Sequence, residues 1–354
     1  MKILVTGIAG FIGYHLAKRL AEQGESIIGI DNLNDYYDAK LKYDRLADLG
    51  FQVTGELKKE TCSEIIHSNL YPKMSFYKMD LVNANALKSL VKNEQFDIIV
   101  NLAAQAGVRY SLTNPDTYIA GNIQGFLNIL EAVRTSPVRH IVYASSSSVY
   151  GLNTIQPFSE KHAVDYPASL YAVTKRANEL MAHSYAHLYD IPLTGLRFFT
   201  VYGPWGRPDM ALFLFTRAIL SQRPIDVFNN GEMQRDFTYI DDIIEGTIRV
   251  MYKIPNGKLG FENLQGENIS HAPARIYNIG NCSPVRLLDF IHALEDELGL
   301  KAQMNMLPLQ PGDVPSTWAD CSSLKNDTGY QSCTNTRQGI KKFVAWYKEY
   351  YNIK

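Results

Sequence analysis

A glycine-rich turn near the amino terminus restricts the possible folds of this chain more than any other feature of its sequence. It follows residues 3–5, which are apolar and have the length of a short buried strand. It precedes Ile12, Leu16 and Leu20, which recur at the spacing of one helix face. Strand, glycine turn and helix in this order are typical of a dinucleotide-binding site. The spacing is G-x-x-G-x-x-G rather than G-x-G-x-x-G, so a purely structural turn stays open as an alternative.

Each glycine has a distinct role if this turn binds a dinucleotide. Gly7 permits the tight turn, Gly10 lets the backbone approach a pyrophosphate, and Gly13 lets the helix pack closely on the strand. The phosphates would lie among the free amide groups at the start of the helix, beside Phe11 and Ile12, where the helix dipole favours negative charge. These five residues are therefore predicted to bind a cofactor.

An acidic residue follows the glycine turn at the expected distance. The apolar strand of residues 26–30 ends in Asp31, roughly 20 residues beyond Gly13, where a carboxylate is expected to bond the adenosine ribose. A carboxylate there would repel a 2′-phosphate, so the sequence favours NAD over NADP. Asn32 follows it and is included in the predicted cofactor site. A turn or helix cap is the alternative interpretation of Asp31.

Strands and helices alternate from the glycine turn to about residue 200, which predicts an α/β fold with a doubly wound, Rossmann-like parallel sheet. Ligands bind at the carboxyl edge of such sheets, where Asp80, Leu81, Ala103 and Ala104 follow two of the strands. The two alanines leave room for a flat cofactor. The predicted strands are residues 75–79, 98–102, 140–143 and 193–199, and the predicted helices are about 83–93, 116–134 and 169–189.

A tyrosine and a lysine on the predicted helix 169–189 form a candidate catalytic pair. Tyr171 and Lys175 are four residues apart, so they fall on one helix face. A free phenol has a pKa of about 10, and an ammonium one turn away would stabilise the phenolate. A hydroxyl from the run Ser145–Ser148, at the end of the strand 140–143, would share the substrate proton. An amphipathic helix with a core tyrosine and a solvated lysine is the alternative.

Composition narrows the functional class. The formal net charge of −1 supplies no basic excess for binding nucleic acid. The 354 residues contain no apolar run long enough to cross a membrane and no signal peptide, so a soluble, cytoplasmic protein is expected. Cys62, Cys282, Cys321 and Cys333 are scattered without C-x-x-C spacing. They are interpreted as reduced thiols rather than a disulfide framework or a metal site.

These motifs together resemble the extended short-chain dehydrogenase/reductase superfamily, and within it the NAD-dependent sugar-nucleotide epimerases, from Met1 to about Tyr350. The resemblance implies a tightly held NAD with Tyr171 and Lys175 near the nicotinamide. It also implies an assisting Ser or Thr about 25 residues before the tyrosine. Ser146 is chosen, with Ser147 as the second candidate, because the consecutive serines leave the register open. A homodimer formed through the helices 116–134 and 169–189 is implied as well.

The regular alternation ends after residue 199, and the resemblance divides the chain there. It implies an NAD-binding domain over residues 1–202 plus about 237–256, and a smaller α/β UDP-sugar-binding domain over about 203–236 and 257–354. Residues 54–72 show no clear period, and no function is assigned to them.

Residues 31–37, 104–111 and 197–210 are similar to those of UDP-glucuronate 4-epimerases, which implies a set of substrate contacts. Thr200 and Arg207 would hold a C6 carboxylate, since Arg pairs with carboxylates bidentately. An Arg207 that bridges its loop to a surface acid is the alternative. The other implied substrate contacts are Phe228 to uracil, Arg235 to the diphosphate and Asp313 to the uridine ribose, together with Arg109, Ser146 and Ser147. Gln310 stands where galactose epimerases carry Arg, so Arg275 is the candidate for the second phosphate cation.

The resemblance implies an isomerase that inverts C4 of UDP-glucuronate to give UDP-galacturonate, by transient oxidation with bound NAD. A UDP-glucuronate decarboxylase or a nucleotide-sugar 4,6-dehydratase is the alternative within the fold. Those families tend to place an acid after the Ser or Thr, where Ser147 and Ser148 stand here. A non-catalytic NAD(H)-binding sensor is a different class, and the intact Ser146, Tyr171 and Lys175 argue against it.

Overall fold

The computed structural model describes residues 1–53, 65–257, 261–262, 269–310 and 312–353. Cys62, Pro311 and residues 54–64 of the unassigned segment lie outside the described residues. The chain divides into two compact units. The first unit comprises Met1–Asn153, Glu160–Arg197 and Thr247–Tyr277, and the second comprises Thr154–Ser159, Phe198–Gly246 and Asn278–Lys354.

The strands and helices follow the alternation that the sequence predicts. The strands are β1 Lys2–Thr6, β2 Ser26–Asp31, β3 Ile66–His67, β4 Met74–Lys78, β5 Ile98–Asn101, β6 His140–Ser146, β7 Leu193–Phe198, β8 Thr200–Tyr202, β9 Ile225–Phe228, β10 Gln234–Arg235, β11 Phe237–Tyr239, β12 Phe261–Glu262, β13 Ile269–Ser270, β14 Ala274–Ile279, β15 Val285–Arg286 and β16 Met304–Leu307. The α-helices are α1 Phe11–Glu22, α2 Lys40–Asp48, α3 Ala84–Glu94, α4 Tyr110–Thr113, α5 Pro115–Tyr118, α6 Gly125–Thr135, α7 Leu170–Tyr189, α8 Ala211–Leu220, α9 Ile240–Tyr252, α10 Leu287–Leu298, α11 Ser322–Thr328 and α12 Thr336–Tyr350. A π-helix spans Ile119–Gln124, and short 3₁₀ helices span Ser147–Tyr150 and Asn229–Gly231.

Eight strands of the described residues form one sheet in the order β14-β7-β6-β5-β1-β2-β4-β3. β1 pairs in parallel with β2 and β5, β5 pairs in parallel with β6, and β2 pairs in parallel with β4, whereas the short β3 is antiparallel to β4. Ile3, Leu4 and Val5 of β1 are fully buried, as expected for a parallel sheet with both faces covered. The predicted Rossmann-like α/β fold is confirmed.

The strand order places the glycine turn centrally. β1 lies between β5 and β2, so the loops that leave these three strands start side by side at the carboxyl edge. α3 and α7 begin in defined positions because Asn83 and Ser169 cap them, accepting hydrogen bonds from Ala86 N and Ala172 N at 3.2 Å. The residues predicted to bind the cofactor lie at or just after the ends of β1, β2, β4 and β5, at one edge of the sheet.

The predicted helix 116–134 is not a regular α-helix. It consists of α5, the π-helix and α6. Asn122, in the π-helix, is 2% exposed, and its side chain bonds the backbone of Gln105 rather than solvent. The extra residue in the helical turn orients this amide inward, which apolar periodicity alone does not reveal.

The end of the sheet comes from late in the sequence. β14 lies beside β7 at the end of the sheet, and Leu193 N donates to Pro273 O at 3.0 Å. Thr247–Tyr277 belongs to the first unit and Phe198–Gly246 to the second. The predicted division instead placed residues from about 257 onward in the second domain, and residues 198–202 and about 237–246 in the first.

The second unit has smaller sheets and an aromatic core. β9 pairs in parallel with β16, β8 in parallel with β11, and β10 antiparallel with β15. Phe213 of α8 packs against Phe343 and Tyr347 of α12, with ring centroids 6.0 and 5.1 Å apart. Among the residues that the structure describes, no helix is long and apolar enough to span a membrane.

Candidate active site

The glycine turn is packed too closely for side chains. A Cβ at Gly7, where φ is +73°, would lie 2.9 Å from Ala103 N, and a Cβ at Gly13 would overlap the carbonyl oxygen of Gly7. Gly10 precedes α1 in an extended conformation with no side-chain cap. The first amide groups of α1, from Phe11 and Ile12, are thus left to an anion at the helix N-terminus. This arrangement fits the pyrophosphate of a dinucleotide.

Asp31 ends β2 beside the same turn. It is 7% exposed, and its carboxylate accepts hydrogen bonds from Ala9 N at 3.2 Å and Leu33 N at 2.9 Å. Lys42 Nζ lies 3.6 Å from Asp31 Oδ1. This cation is not predictable from the sequence, because α2 has the composition of a polar surface helix. The acidic group expected at the adenosine ribose is therefore held rigidly.

The remaining cofactor candidates line the neighbouring strand ends. Asn32 Nδ2 donates to Asp80 Oδ2 at 2.8 Å, which joins the loops after β2 and β4. Ala103 N donates to Thr6 Oγ1 at 3.0 Å, and Ala104 follows it, half-buried. Leu81 is different because it is 6% exposed and belongs to the hydrophobic core, so its side chain supports the edge by packing.

The structure narrows the choice among the consecutive serines. Ser145 Oγ donates to Glu179 Oε1 at 2.6 Å and is 2% exposed, so this hydroxyl is already engaged in the interior. Ser146 Oγ accepts from Ser148 N at 3.1 Å and lies 3.1 Å from Ser148 Oγ. Ser147 begins the 3₁₀ helix and is half-buried. Ser146 is thus the N-cap at the point where β6 ends.

Tyr171 and Lys175 lie together on α7. Lys175 Nζ is 6.0 Å from the centre of the Tyr171 ring and donates to Ala144 O at 2.8 Å. Lys175 is 4% exposed, and burial lowers the pKa of its ammonium to about 8. Because Ala144 lies two residues before Ser146 on β6, this hydrogen bond brings the lysine beside the end of the strand that carries the serines.

Arg109 and Arg275 also belong to the first unit. Arg109 is exposed and precedes α4, and Arg275 is half-buried on β14.

The other predicted substrate contacts are in the second unit. Arg235 Nη1 donates to the carbonyl oxygens of Gln234 and Pro315, at 2.9 and 3.1 Å, so Arg235 adjoins the segment that contains Asp313. Phe228 is half-buried at the end of β9, and Thr200 begins β8. Arg207 forms a bidentate pair with Asp209, with Nε donating to Oδ1 at 3.0 Å and Nη2 to Oδ2.

Comparison with known proteins identifies the family. Residues 3–280 match the family described as the NAD dependent epimerase/dehydratase family. The chain belongs to this family. The resemblance inferred from the sequence motifs is thereby confirmed, and with it the predicted dependence on NAD.

Relatives of this epimerase/dehydratase chain span nearly its whole length. It is 51% identical over 352 residues to Protein CapI of Staphylococcus aureus, with 99% of each chain covered. It is 45% identical over 356 residues to UDP-glucuronate 4-epimerase 2 of Arabidopsis thaliana, covering 99% of this chain and 76% of the relative. The structure is similar, with a TM-score of 0.83 and 32% identity, to that of UDP-glucuronic acid 4-epimerase from Bacillus cereus in complex with UDP-glucuronic acid and NAD, covering 99% and 100% of the two chains.

A buried ion pair supports the site of this epimerase/dehydratase chain and was missed in the sequence. Arg197 of β7 donates from Nε and Nη2 to both carboxylate oxygens of Glu179, each at 2.8 Å, and from Nη1 to Tyr150 OH at 3.0 Å. Burial raises the pKa of Glu179, but the charge and hydrogen bonds of Arg197 and the hydrogen bond from Ser145 outweigh it, so the pKa lies below its usual value. The sequence signal for Glu179 was its spacing, because it lies four residues after Lys175, on the same helix face as Tyr171 and Lys175.

Asn122 is a second missed residue. Its side-chain Oδ1 accepts from Gln105 N at 2.7 Å, and its Nδ2 donates to Gln105 O and to Thr174 Oγ1, both at 3.0 Å. Its backbone carbonyl oxygen accepts from Asn178 Nδ2 at 2.7 Å. These bonds join the loop after β5 to α7. Nothing in the sequence distinguishes this asparagine from one that faces solvent.

Proposed function

We propose that the protein is a UDP-glucuronate 4-epimerase, which interconverts UDP-glucuronate and UDP-galacturonate with an NAD that stays bound. The observation that carries this proposal is the placement of Tyr171 and the buried Lys175 against the serine-bearing end of β6, on the sheet edge that also holds the glycine turn. Similarity over 99% of the chain to a relative named UDP-glucuronate 4-epimerase supports the choice of substrate.

The residues of the chain provide the acid–base chemistry. Tyr171, as a phenolate, removes the proton of the C4 hydroxyl, and Ser146 shares that proton through its own hydroxyl. Lys175 stabilises the phenolate by its charge, since its Nζ lies on the same helix face, 6.0 Å from the ring centre. When bound, NAD supplies the acceptor for the C4 hydride and its return. After the 4-keto sugar turns over, so that the hydride returns to the opposite face of C4, Tyr171 returns the proton to the C4 oxygen.

We propose that the dinucleotide is held within the first unit by Gly7, Gly10, Phe11, Ile12, Gly13, Asp31, Asn32, Asp80, Ala103 and Ala104, with Leu81 supporting this edge through the packing of its side chain. The substrate contacts are proposed as implied by the resemblance. They are Arg109, Ser147, Thr200, Arg207, Phe228, Arg235, Arg275 and Asp313. The adjacency of Arg235 to Pro315 supports a common diphosphate and ribose site with Asp313. The first unit is thus proposed as the NAD-binding domain and the second as the UDP-sugar-binding domain.

Chromatographic analysis of products from UDP-glucuronate, with no NAD added, tests the proposed reaction. Appearance of UDP-galacturonate supports it. Loss of CO₂ to give a UDP-pentose would instead identify a decarboxylase. The absence of product, with absorbance near 340 nm unchanged after adding UDP-sugars, would identify a non-catalytic binding protein.

Arg207→Met should change the preference between substrates rather than abolish turnover. If Arg207 exchanges Asp209 for the C6 carboxylate of the substrate, its loss leaves that charge unpaired, at a cost on the order of 2 kcal/mol. The ratio of UDP-glucuronate to UDP-glucose turnover should then fall roughly thirtyfold. Asp209→Asn keeps the cation and serves as the control, with the ratio preserved. An equal fall with both substrates would show that Arg207 is structural.

Turnover should decline as pH rises past about 8. Burial lowers the pKa of Lys175 to about 8, so the ammonium is present below this pH and is lost above it. Without that charge the phenolate of Tyr171 loses its stabilisation. The measurement is the pH dependence of kcat, with protein stability followed in parallel. A profile that stays flat to pH 10 would contradict the role given to the Lys175 charge.

We further propose that the protein is cytoplasmic and forms a homodimer. Free thiols at Cys282, Cys321 and Cys333 are in line with a cytoplasmic location. Ile119, Val173 and Leu180 are 48%, 43% and 56% exposed on the π-helix and α7, an apolar surface suited to a second copy. Light scattering should give twice the mass of one chain, and Leu180→Glu should give a monomer. A wild-type monomer would contradict the proposal.

A further inference from the structure

The loops on either side of the glycine turn begin apart and meet. β2 ends at Asp31 and β5 ends at Asn101, and β1 lies between them. Neighbouring strands are about 4.8 Å apart, so these two loops start roughly 10 Å from each other. The loop after β2 contains residues 31–37 and the loop after β5 contains residues 104–111, two of the segments whose sequences resemble those of UDP-glucuronate 4-epimerases. The predicted chemistry does not explain why either segment has its particular aromatic residues.

Tyr36 joins the two loops. Its ring lies 4.8 Å, centroid to centroid, from the ring of Tyr110, and its hydroxyl occupies the space that a Cβ at Gly107 would need. Gly107 has φ +100°, a conformation that side chains disfavour, so both the backbone and the space there require glycine. We name these three residues, Tyr36, Gly107 and Tyr110, the tyrosine clasp.

Both sides of the tyrosine clasp are anchored. On one side the fully buried Arg45 donates from Nη1 to Tyr37 OH and to Ala9 O, both at 2.8 Å, which ties the loop after β2 to the glycine turn itself. On the other side Tyr118 OH donates to the carbonyl oxygens of Ala106, at 2.8 Å, and Gly107.

Ring contacts continue from the clasp toward the proposed catalytic tyrosine. Tyr110 lies 6.2 Å from Tyr118, and Tyr118 lies 6.1 Å from Tyr171, in each case between ring centroids. The loop after β5 is therefore packed from the clasp to α7, and a displacement of Tyr36 would remove a support of this loop without touching Tyr171.

We propose that the tyrosine clasp closes over the glycine turn and retains NAD between turnovers. The inference rests on the proposed function, because a reaction that leaves its cofactor unchanged gains from never releasing it. Release of a dinucleotide from beneath the clasp requires the two loops to separate, which breaks the contact of Tyr36 with Tyr110 and Gly107. The clasp therefore acts mainly on the dissociation rate of NAD.

The test measures NAD retention in the full-length protein purified without additives. NAD is quantified after denaturation, and its release is followed by exchange against labelled NAD. Tyr36→Ala should release NAD about tenfold faster than wild type, the scale of one lost aromatic contact. Tyr36→Phe keeps the ring and should stay within a few-fold of wild type. Tyr71→Ala, which removes a half-buried tyrosine of the same unit outside the clasp, is the matched control.

Two results would overturn the proposal. One is an unchanged NAD release rate in Tyr36→Ala, and the other is equal acceleration in Tyr36→Ala and Tyr71→Ala, which would indicate general loosening. If Tyr36→Ala does not fold, Tyr110→Leu tests the opposite side of the contact. This variant should also release NAD faster than wild type. If wild-type protein neither contains nor binds NAD, the proposed function itself fails, and this result is distinct from a failure of the clasp.

Discussion

Tyr171→Phe should lower the turnover of UDP-glucuronate by roughly 10²–10⁴-fold, the usual contribution of a general acid–base group. The substitution removes only the phenolic oxygen. The ring contact with Tyr118, at 6.1 Å between centroids, and the hydrogen bond from Lys175 to Ala144 are both retained. NAD should therefore remain bound in the inactive variant, and quantifying the cofactor released on denaturation checks this directly.

A second tyrosine of α7 provides the control for this experiment. Tyr185 OH donates to Glu131 Oε1 at 2.6 Å, and Tyr185→Phe also removes one hydroxyl from the same helix. Its turnover should stay within about twofold of wild type, since Glu131 is not part of the proposed site. Activity of Tyr171→Phe within a few-fold of wild type would exclude Tyr171 as the proton acceptor.

Glu179→Ala should destabilise the protein by about 3–5 kcal/mol, because it leaves the guanidinium of Arg197 buried without its partner. The side chains of Arg197 and Glu179 are 2% and 0% exposed, so solvent does not compensate the charge. The loss also frees the hydroxyl of Ser145, which Glu179 holds one residue before Ser146. Denaturant unfolding of both proteins at neutral pH gives the free-energy difference.

Exposed charge pairs supply the comparison. Asp289→Ala breaks the pair with Arg286 on the surface of the second unit, and its unfolding midpoint should be almost unchanged.

The pKa of Glu179 lies below its usual value, so its stabilising effect is present at neutral pH and is lost on acidification through the folded pKa. A Glu179→Ala variant within about 1 kcal/mol of wild type would show that the interior accommodates the lone guanidinium.

Local chemistry and strict periodicity account for what the sequence predicts well. The glycine turn, Asp31 and the alternation of strands and helices predict the Rossmann-like sheet and the edge at which the candidate residues meet. The pair Tyr171 and Lys175 is predicted because i, i+4 spacing on a helix implies proximity.

What the sequence does not predict depends on contacts between distant residues. Glu179 and Arg197 look like ordinary charges until β7 is placed beside β6, and only then is Ser145 assigned to the interior. The π-helix around Asn122 accompanies a polar contact with Gln105, and the spacing of apolar residues does not predict such a contact. The pairing of Arg207 with Asp209 is local by contrast, and it is the bridge to an acid that the sequence left open as the alternative to a carboxylate contact.

The pairing of β14 with β7 has a consequence for synthesis of the chain. β7 ends at Phe198, but the strand beside it is residues 274–279, so more than seventy residues must emerge from the ribosome before that flank is covered. Until then β7 presents unpaired amide and carbonyl groups of the kind that template association between nascent chains. A chain that ends before β14, whether through a nonsense codon or through proteolysis, keeps this edge of β7 unpaired and stays prone to association.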